Sequence, residues 1–573
     1  MEGMKSLRII AVAVLAGGAM LAFGLPEGRA PLSLVRISKY ADQSVSVLTR
    51  YQIDVRQELA TCYLALADRG DLGVLRRQGM PVRVLLRNAK GREVLIVKTA
   101  SLEDFAALSA AGTAVAVDPG TAVFWTDAGS AAEAVPPGLP RKALPMRSIA
   151  RFLGAPPAAS PEAVLTAAQN PLVETMVSLV SGANLSANVQ SLQDFVTRYA
   201  STTNCAASGD YLFAALSALG LDDVHFEPFT FATTYTSRNV VAEKTGETYP
   251  DDIYIICGHY DSTSPHPLIA APGADDNASG TAAVLEAARV AAAFPFDFTI
   301  RFVAFSAEEW GLYGSRAYAT AAREAGERIL GVVNLDMIAY ADAAPEDLEI
   351  IVNPASAWLA DLFLRAAADY GVLGANKRID ATIIYSDHSP FWDNGYPALL
   401  AIEDHPLTNP YYHQETDTLD TLDLEFFTAA TRASLGLVAE LAQPIREGYP
   451  LTPVGLAASS AAYSSLFSAL KTVDLTWPAQ ADAVAYNLYR TTVSHLNYVK
   501  INDAPLTATV FTDSDVDTDR SYYYSLTSIG ATGLESNRSK EAFVSPDYSW
   551  SAAASSFPDP VFPSLLAVPW RLR

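Results

Sequence analysis

Between Asn170 and Pro444 the sequence alternates helical patterns with short apolar runs, and this alternation is the strongest constraint on its fold. Thr299-Ile300-Arg301-Phe302-Val303-Ala304-Phe305 and Ile253-Tyr254-Ile255-Ile256-Cys257 read as buried strands from their length and their β-branched and aromatic content. Ile329 to Leu335 is a third such run. Ser191 to Tyr199, Gly209 to Leu219 and the Ala-rich stretch from Ser279 to Ala293 read as helices. A βαβ succession of this kind predicts an α/β fold with a mainly parallel sheet covered on both faces. Open sheets of that type bind ligands at the carboxyl ends of their strands. The residues that follow the apolar runs are therefore the ones that bear on function.

Those residues are rich in metal-binding side chains. Glu308-Glu309 follows the run that ends at Phe305, just before Gly311. Gly258-His259-Tyr260-Asp261-Ser262 follows Cys257, and Asp261 is spaced to orient the His259 imidazole by a hydrogen bond. Pro272-Gly273-Ala274-Asp275-Asp276-Asn277-Ala278-Ser279-Gly280 is a carboxylate-bearing loop that opens a helix. Asp336 ends the third strand, and Tyr411-Tyr412-His413-Gln414-Glu415-Thr416-Asp417 comes later. Taken singly, each has an ordinary explanation: a helix cap, a charge complementing a helix dipole, a buried histidine or a surface loop. Taken together, two histidines and three acidic residues at strand ends amount to ligands for two divalent ions. Imidazole with carboxylate favours zinc over magnesium or calcium, and also suits manganese or cobalt.

At 573 residues the chain is too long for one core, and about three or four domains is the natural expectation. Residues 31–150 read as a small α/β domain, with strands at Pro81–Leu86 and Glu93–Val97 and a helix capped by Ser101 and Asp104. It holds no catalytic constellation and suits a folding aid, a propeptide or a docking surface. A linker over 151–169 precedes the 170–445 domain. After Pro453 the pattern changes to short alternating segments around Val473–Trp477, Ala485–Tyr489 and Tyr522–Leu526, which predict an antiparallel β-sandwich over 453–545. Its early tryptophan and Tyr-rich later strand resemble a fibronectin type III module suited to surface or polymer contact. Asp513, Asp515, Asp517 and Asp519 alternate there, but Thr518 and Tyr524 stand where a calcium loop needs glycine and glutamate, so a solvated turn is expected. Residues 546–573 read as a poorly ordered tail.

A formal net charge of −23 argues against nucleic acid or an anionic membrane surface as a partner. Lys5 and Arg8 before the apolar Ile9–Phe23 run, with small residues at Ala22 and Gly24, read as a secretory signal peptide over 1–24. No later segment is long and apolar enough to span a bilayer, so a secreted, periplasmic or cell-envelope location is expected. Three cysteines make no disulfide scaffold. Cys257 ends an apolar strand as a core residue, while Cys62 and Cys205 are free to pair or not.

The order His259-x-Asp261, Asp276-Asn277-x-x-Gly280, Glu308-Glu309-x-Gly311, Asp336 and His413-x-x-x-Asp417 resembles the two-zinc aminopeptidases related to aminopeptidase S and aminopeptidase Y. Ser386-Asp387-His388-Ser389-Pro390-Phe391 and Gly395-Tyr396-Pro397 look like the same family. The resemblance implies a phosphorylase/hydrolase-like α/β fold with a mixed sheet and a zinc peptidase domain over 170–445. It implies that His259 and Asp336 bind one zinc, Glu309 and His413 the other, with Asp276 bridging and its peptide to Asn277 cis. Glu308 matches the general base that activates a water shared by the two ions, and Tyr412 matches an oxyanion-stabilising tyrosine. Asp261 and Asp417 would support the ligands. The implied activity is aminopeptidase action on peptides or proteins with a free N-terminus. Rivals on the same superfamily fold are a carboxypeptidase, a one-zinc glutaminyl cyclase and a non-catalytic binding module of the transferrin-receptor kind. The intact ligand set disfavours the last two.

Overall fold

A computed structural model describes residues 32–145 and 170–545, apart from 40–42, 90–91, 128, 137–138, 233, 344, 405, 465–468 and 519. The expected signal peptide, the 151–169 linker and the 546–573 tail lie outside the described residues. Among the described residues no helix is long and apolar enough to cross a membrane.

The fold is mixed α/β, and its largest sheet has eight strands. The Tyr249–His259 strand lies at its centre, flanked in parallel by Phe298–Phe305 and Arg328–Leu335. Ala398–Glu403 extends the parallel block beyond Arg328–Leu335. Antiparallel strands then appear on both sides: Asp347–Val352 beside Ala398–Glu403, and Tyr235–Lys244 beside Phe298–Phe305. The apolar runs are continuous because both faces of the sheet are covered. On one face Ile256 and Phe302 share a buried cluster with Ala283 and Ala287 of the Gly280–Ala291 helix and with Phe427 of the Leu424–Ala442 helix. On the other, Cys257 and Val303 pack with Tyr318 of the Tyr313–Ala325 helix and Phe391 of the His388–Asp393 helix. Parallel alignment gathers the ends at His259, Phe305 and Leu335 along one edge.

Two local expectations are corrected. Helix was expected from Ser191 to Tyr199, but the helix spans Gly182–Gln193. Beyond it Val196 has a φ of 67° and Thr197 bridges to Ala271, so a tertiary contact overrides the helical pattern. Asp513 and Asp515 lie in the Val510–Val516 strand rather than a solvated turn, and Asp513 is buried. Arg490 pairs with its carboxylate at 2.9 Å and the Tyr524 hydroxyl donates to it at 2.9 Å, so its charge serves packing. Asp519 lies outside the described residues. All three cysteines are buried and unpaired: Cys205 Sγ lies 3.7 Å from Ser306 Oγ, while Cys62 Sγ faces Val117 O at 3.5 Å.

The region before residue 146 forms two four-stranded sheets, antiparallel at every pairing. Ser101 and Asp104 make the expected reciprocal cap of the Leu102–Ala111 helix. Beyond Pro453, a three-stranded and a four-stranded antiparallel sheet enclose Trp477, Leu488, Tyr524 and Leu526. This C-terminal region docks at the amino ends of the central strands, away from His259. There Lys540 pairs with Asp252 at 2.6 Å, and Asn537 donates to Asp297 at 2.7 Å.

Candidate metal centre

Strand ends deliver the chemistry. His259 closes the central strand, Asp336 follows Leu335, and Glu308-Glu309 follows Phe305 after two residues. Asp276 comes from the loop before the Gly280–Ala291 helix, and its peptide bond to Asn277 is cis. His413 comes from the loop after the Ala398–Glu403 strand. The structure brings all five into one buried place, in two groups that share Asp276: His259, Asp276 and Asp336, and Asp276, Glu309 and His413. His259 Nε2 lies 3.4 Å from Asp276 Oδ1 and 3.3 Å from Asp336 Oδ1. His413 Nε2 lies 3.0 Å from Asp276 Oδ2 and 3.1 Å from Glu309 Oε2. Asp276 thus turns one oxygen to each group. Glu308 stands at the edge, its Oε2 4.0 Å from His259 Nε2. Tyr412 stacks on the His413 ring with centroids 3.8 Å apart and faces the same pocket of about 410 Å³.

Three residues in or beside the candidate ligand set, Ala307, Met337 and His413, hold positive φ angles of 58°, 51° and 55°. Non-glycine residues adopt that region only when their surroundings over-determine it, and such positions gather at functional sites. Gly280 answers a different demand. A Cβ there would sit 2.3 Å from Leu335 O, so only glycine lets the helix approach the end of the Asp336 strand.

Supporting groups fix these loops. Asp261 was expected to orient His259 by a hydrogen bond, and His259 Nδ1 lies 3.1 Å from the Asp261 backbone oxygen and 3.7 Å from its carboxylate. The Asp261 carboxylate instead accepts the backbone N–H groups of Glu308 and Glu309 at 3.1 and 3.2 Å, which holds the glutamate loop. Asp417 does the same for the other loop, accepting the N–H groups of Asp275 and Asp276 at 2.8 and 3.0 Å. Two supports escaped the sequence reading. Ser386 Oγ donates to Asp336 Oδ2 at 2.6 Å and accepts from Asn334 Nδ2 at 2.7 Å; its motif was recognised but carried no role. Arg198 is fully buried and donates to the carbonyls of Tyr260, Pro272 and Gly273, tying the His259 strand to the Asp276 loop. A lone arginine serving backbone carbonyls leaves no pattern in a sequence.

The electrostatics test whether a metal fits. Burial works against the charged form of His413, yet Glu309 and Asp276 override it and push its pKa up to about 10. Burial, with Glu309, Asp387 and Asp336, raises the Glu308 carboxyl well above its ordinary value despite His259 nearby. Four buried carboxylates thus crowd two imidazoles, and the protein's own cations do not balance them. Asp336 Oδ1 and Glu309 Oε1 are buried without a hydrogen-bond donor. Orphaned acceptors in a buried acidic pocket are what divalent cations would satisfy, and the donor set fits zinc.

The comparisons agree with this chemistry. Residues 239–438, which carry His259, Asp276, Glu309, Asp336 and His413, match the family model described as peptidase family M28. A probable aminopeptidase of Saccharomyces cerevisiae is 29% identical over 285 residues, 47% of this chain and 75% of that protein. Leucine aminopeptidase 1 of Arthroderma otae is 28% identical over 291 residues, 47% of this chain and 77% of the relative. Among solved structures, the LapA aminopeptidase of Legionella pneumophila aligns with a TM-score of 0.45 at 17% identity, covering 72% of this chain and 99% of that one. Asp261, Glu308, Tyr412 and Asp417 also fall within the matched span.

Proposed function

We propose that the protein is a zinc-dependent aminopeptidase that hydrolyses N-terminal residues from peptides with two zinc ions at this centre. The observation that carries the reading is Asp276, whose two carboxylate oxygens face separate His–carboxylate groups. His259 and Asp336 would hold one ion, His413 and Glu309 the other, and Asp276 both. Bound there, the ions would acidify a water between them and polarise the scissile carbonyl. Glu308, adjacent to Glu309 but not grouped with the ligands, takes the proton from the attacking water as general base and returns it to the leaving amine. Tyr412 offers a hydroxyl to the developing oxyanion: burial, with Asp276, Glu309, Glu308 and Asp336 nearby, raises its pKa well above the ordinary value, so it keeps its proton. Asp261 and Asp417 fix the two loops through backbone N–H groups, so both carboxylates act on position rather than on substrate. Relatives named as aminopeptidases support cleavage at the N-terminal rather than the C-terminal end.

The same proposal covers the remaining architecture. Residues 170–445 form the peptidase domain in a phosphorylase/hydrolase-like arrangement, 31–150 a separate N-terminal domain, and 453–545 a fibronectin type III-like sandwich for surface or polymer contact. Export after removal of residues 1–24 places the enzyme outside the cytoplasm. The test is an assay of the purified protein on aminoacyl, N-blocked and C-terminally varied substrates, with zinc counted. Two zinc equivalents, turnover of free-amine substrates and none of N-blocked ones are expected. A C-terminal preference, or turnover unaffected by chelation, contradicts the reading.

A further inference from the structure

The sequence leaves the N-terminal domain without a chemical role, yet it meets the metal centre directly. Its Arg141–Ala143 strand pairs with Leu95–Lys98 inside the domain and lies against the turn after Glu309. Ala143 N–H donates to Gly311 O at 3.2 Å. Arg141, 4% exposed, donates from Nε to Glu309 O at 2.8 Å. Its Nη1 reaches back to Val135 O at 3.1 Å and Ala132 O at 3.3 Å. One guanidinium therefore links a helix end of the N-terminal domain to the backbone of a metal-ligand residue. Asp261 holds the same turn through the Glu309 N–H, so Glu309 is held at both its backbone N–H and its carbonyl.

The rest of the contact is of core quality. Lys142, 1% exposed, lies 2.8 Å from Asp393 as a buried ion pair, a charge contact without hydrogen-bond alignment. Ile384, two residues before Ser386, packs inside the N-terminal domain against Leu64, Ile96 and Trp125. Leu95, Phe124 and Ala143 share the apolar cluster of Trp310 and Tyr313. Tyr313 donates its hydroxyl to Glu93. Lys98, Pro140 and Arg141 line the same pocket as His259 and His413.

Building on the two-zinc reading, we propose that Arg141 is a positioning residue for the Glu308-Glu309 turn, and that the N-terminal domain carrying it is a retained wall of the catalytic unit rather than a detachable inhibitor. Shedding the domain would leave Asp393 without its lysine and strip one support each from the Glu309 turn and from the segment leading to Ser386, which holds Asp336. Groups that support metal ligands typically govern about 10–100-fold of metal affinity or activity.

The test uses the full-length zinc enzyme. In Arg141→Ala, chelator competition is expected to show one zinc held about tenfold or more weakly, and kcat to fall by a similar factor with KM changed little. Added ethylguanidinium should restore part of kcat in that variant alone, a rescue that a purely structural role would not give. Arg141→Lys keeps the charge but not the fork, and serves if the alanine variant fails to fold; it should show the same zinc defect in milder form. Wild-type zinc affinity and kcat in a folded Arg141 variant overturn the proposal. A specific-protease site introduced between residues 151 and 169 tests the domain itself: after cleavage the fragments should co-elute and stay active. Dissociation with a rise in activity marks an inhibitor and also overturns the proposal. Zinc affinity is read without turnover, so loss of the aminopeptidase reading would show instead as an inactive wild type.

Discussion

At the scale of single residues, most of the candidate ligands were visible because they sit at a fixed offset from an apolar run or a glycine. Asp276 lies four residues before Gly280, and Glu309 two before Gly311. The supports are written less clearly. Asp261 stands two residues from His259, which suggested a hydrogen bond to the imidazole; its backbone oxygen meets the ring, while its carboxylate reaches across to the next strand's turn. Ser386 and Arg198 act through contacts 50 to 75 residues distant in sequence, which no local pattern encodes. Ser386 gives a prediction at this scale. Ser386→Ala leaves Asp336 Oδ2 without its donor, so zinc at the His259–Asp336 side should bind roughly 10–100-fold more weakly while the fold persists. Isothermal titration with zinc, alongside a far-UV spectrum, measures it.

Among elements, strands that are apolar throughout and the Ala-rich helix were legible, since burial on both faces leaves a continuous composition signal. Where expectations failed, a tertiary partner outweighed a local pattern. Ser191–Tyr199 has helical composition, yet the chain leaves the helix after Gln193 and carries Arg198 into the core. Asp513 looks solvated in the sequence, yet Arg490 and Tyr524 reach it from strands of the facing sheet. The packing of the Gly280–Ala291 helix can be tested directly. A methyl on Gly280 would meet Leu335 O at 2.3 Å, so Gly280→Ala should cost about 1–3 kcal/mol or more. Denaturant unfolding reads that loss, and zinc content should fall with it because Asp336 follows Leu335.

On the scale of the whole molecule, the centre lies at the carboxyl ends of the parallel strands and the C-terminal region at their amino ends. Deleting residues from Pro453 onward should therefore spare turnover of a small aminoacyl substrate while lowering the unfolding temperature. That cut exposes Val493's packing site and removes Asn537 from Asp297. Abolished turnover in a still-folded truncation would contradict the assignment. The contact also predicts a pH signature. Burial favours the neutral form of Asp252, but Arg328 and Lys540 outweigh it and lower its pKa below 3.8. The pair then stabilises fully above the unfolded value and loses that contribution as pH falls through the lower folded value. Lys540→Ala should be less stable than wild type at neutral pH, and the gap should narrow on acidification below about pH 4. Unfolding curves from pH 7 to pH 3 check the sign. The change to short antiparallel strands after Pro453 was legible from the sequence pattern; the contact of the N-terminal sheets with the Glu308-Glu309 turn was not, because apolar strands do not announce which neighbour they face.

The central claim is a division of labour between adjacent carboxylates, with Glu309 holding metal and Glu308 moving protons. Zinc content and kcat measured together on Glu308→Gln test it most directly. The account predicts two zinc ions retained, an unchanged fold and kcat lowered at least about a hundredfold, since a positioned proton-transfer group typically contributes 10²–10⁴. Glu309→Gln in parallel should lose affinity for one ion. Near-normal turnover in Glu308→Gln with both ions bound would contradict the mechanism.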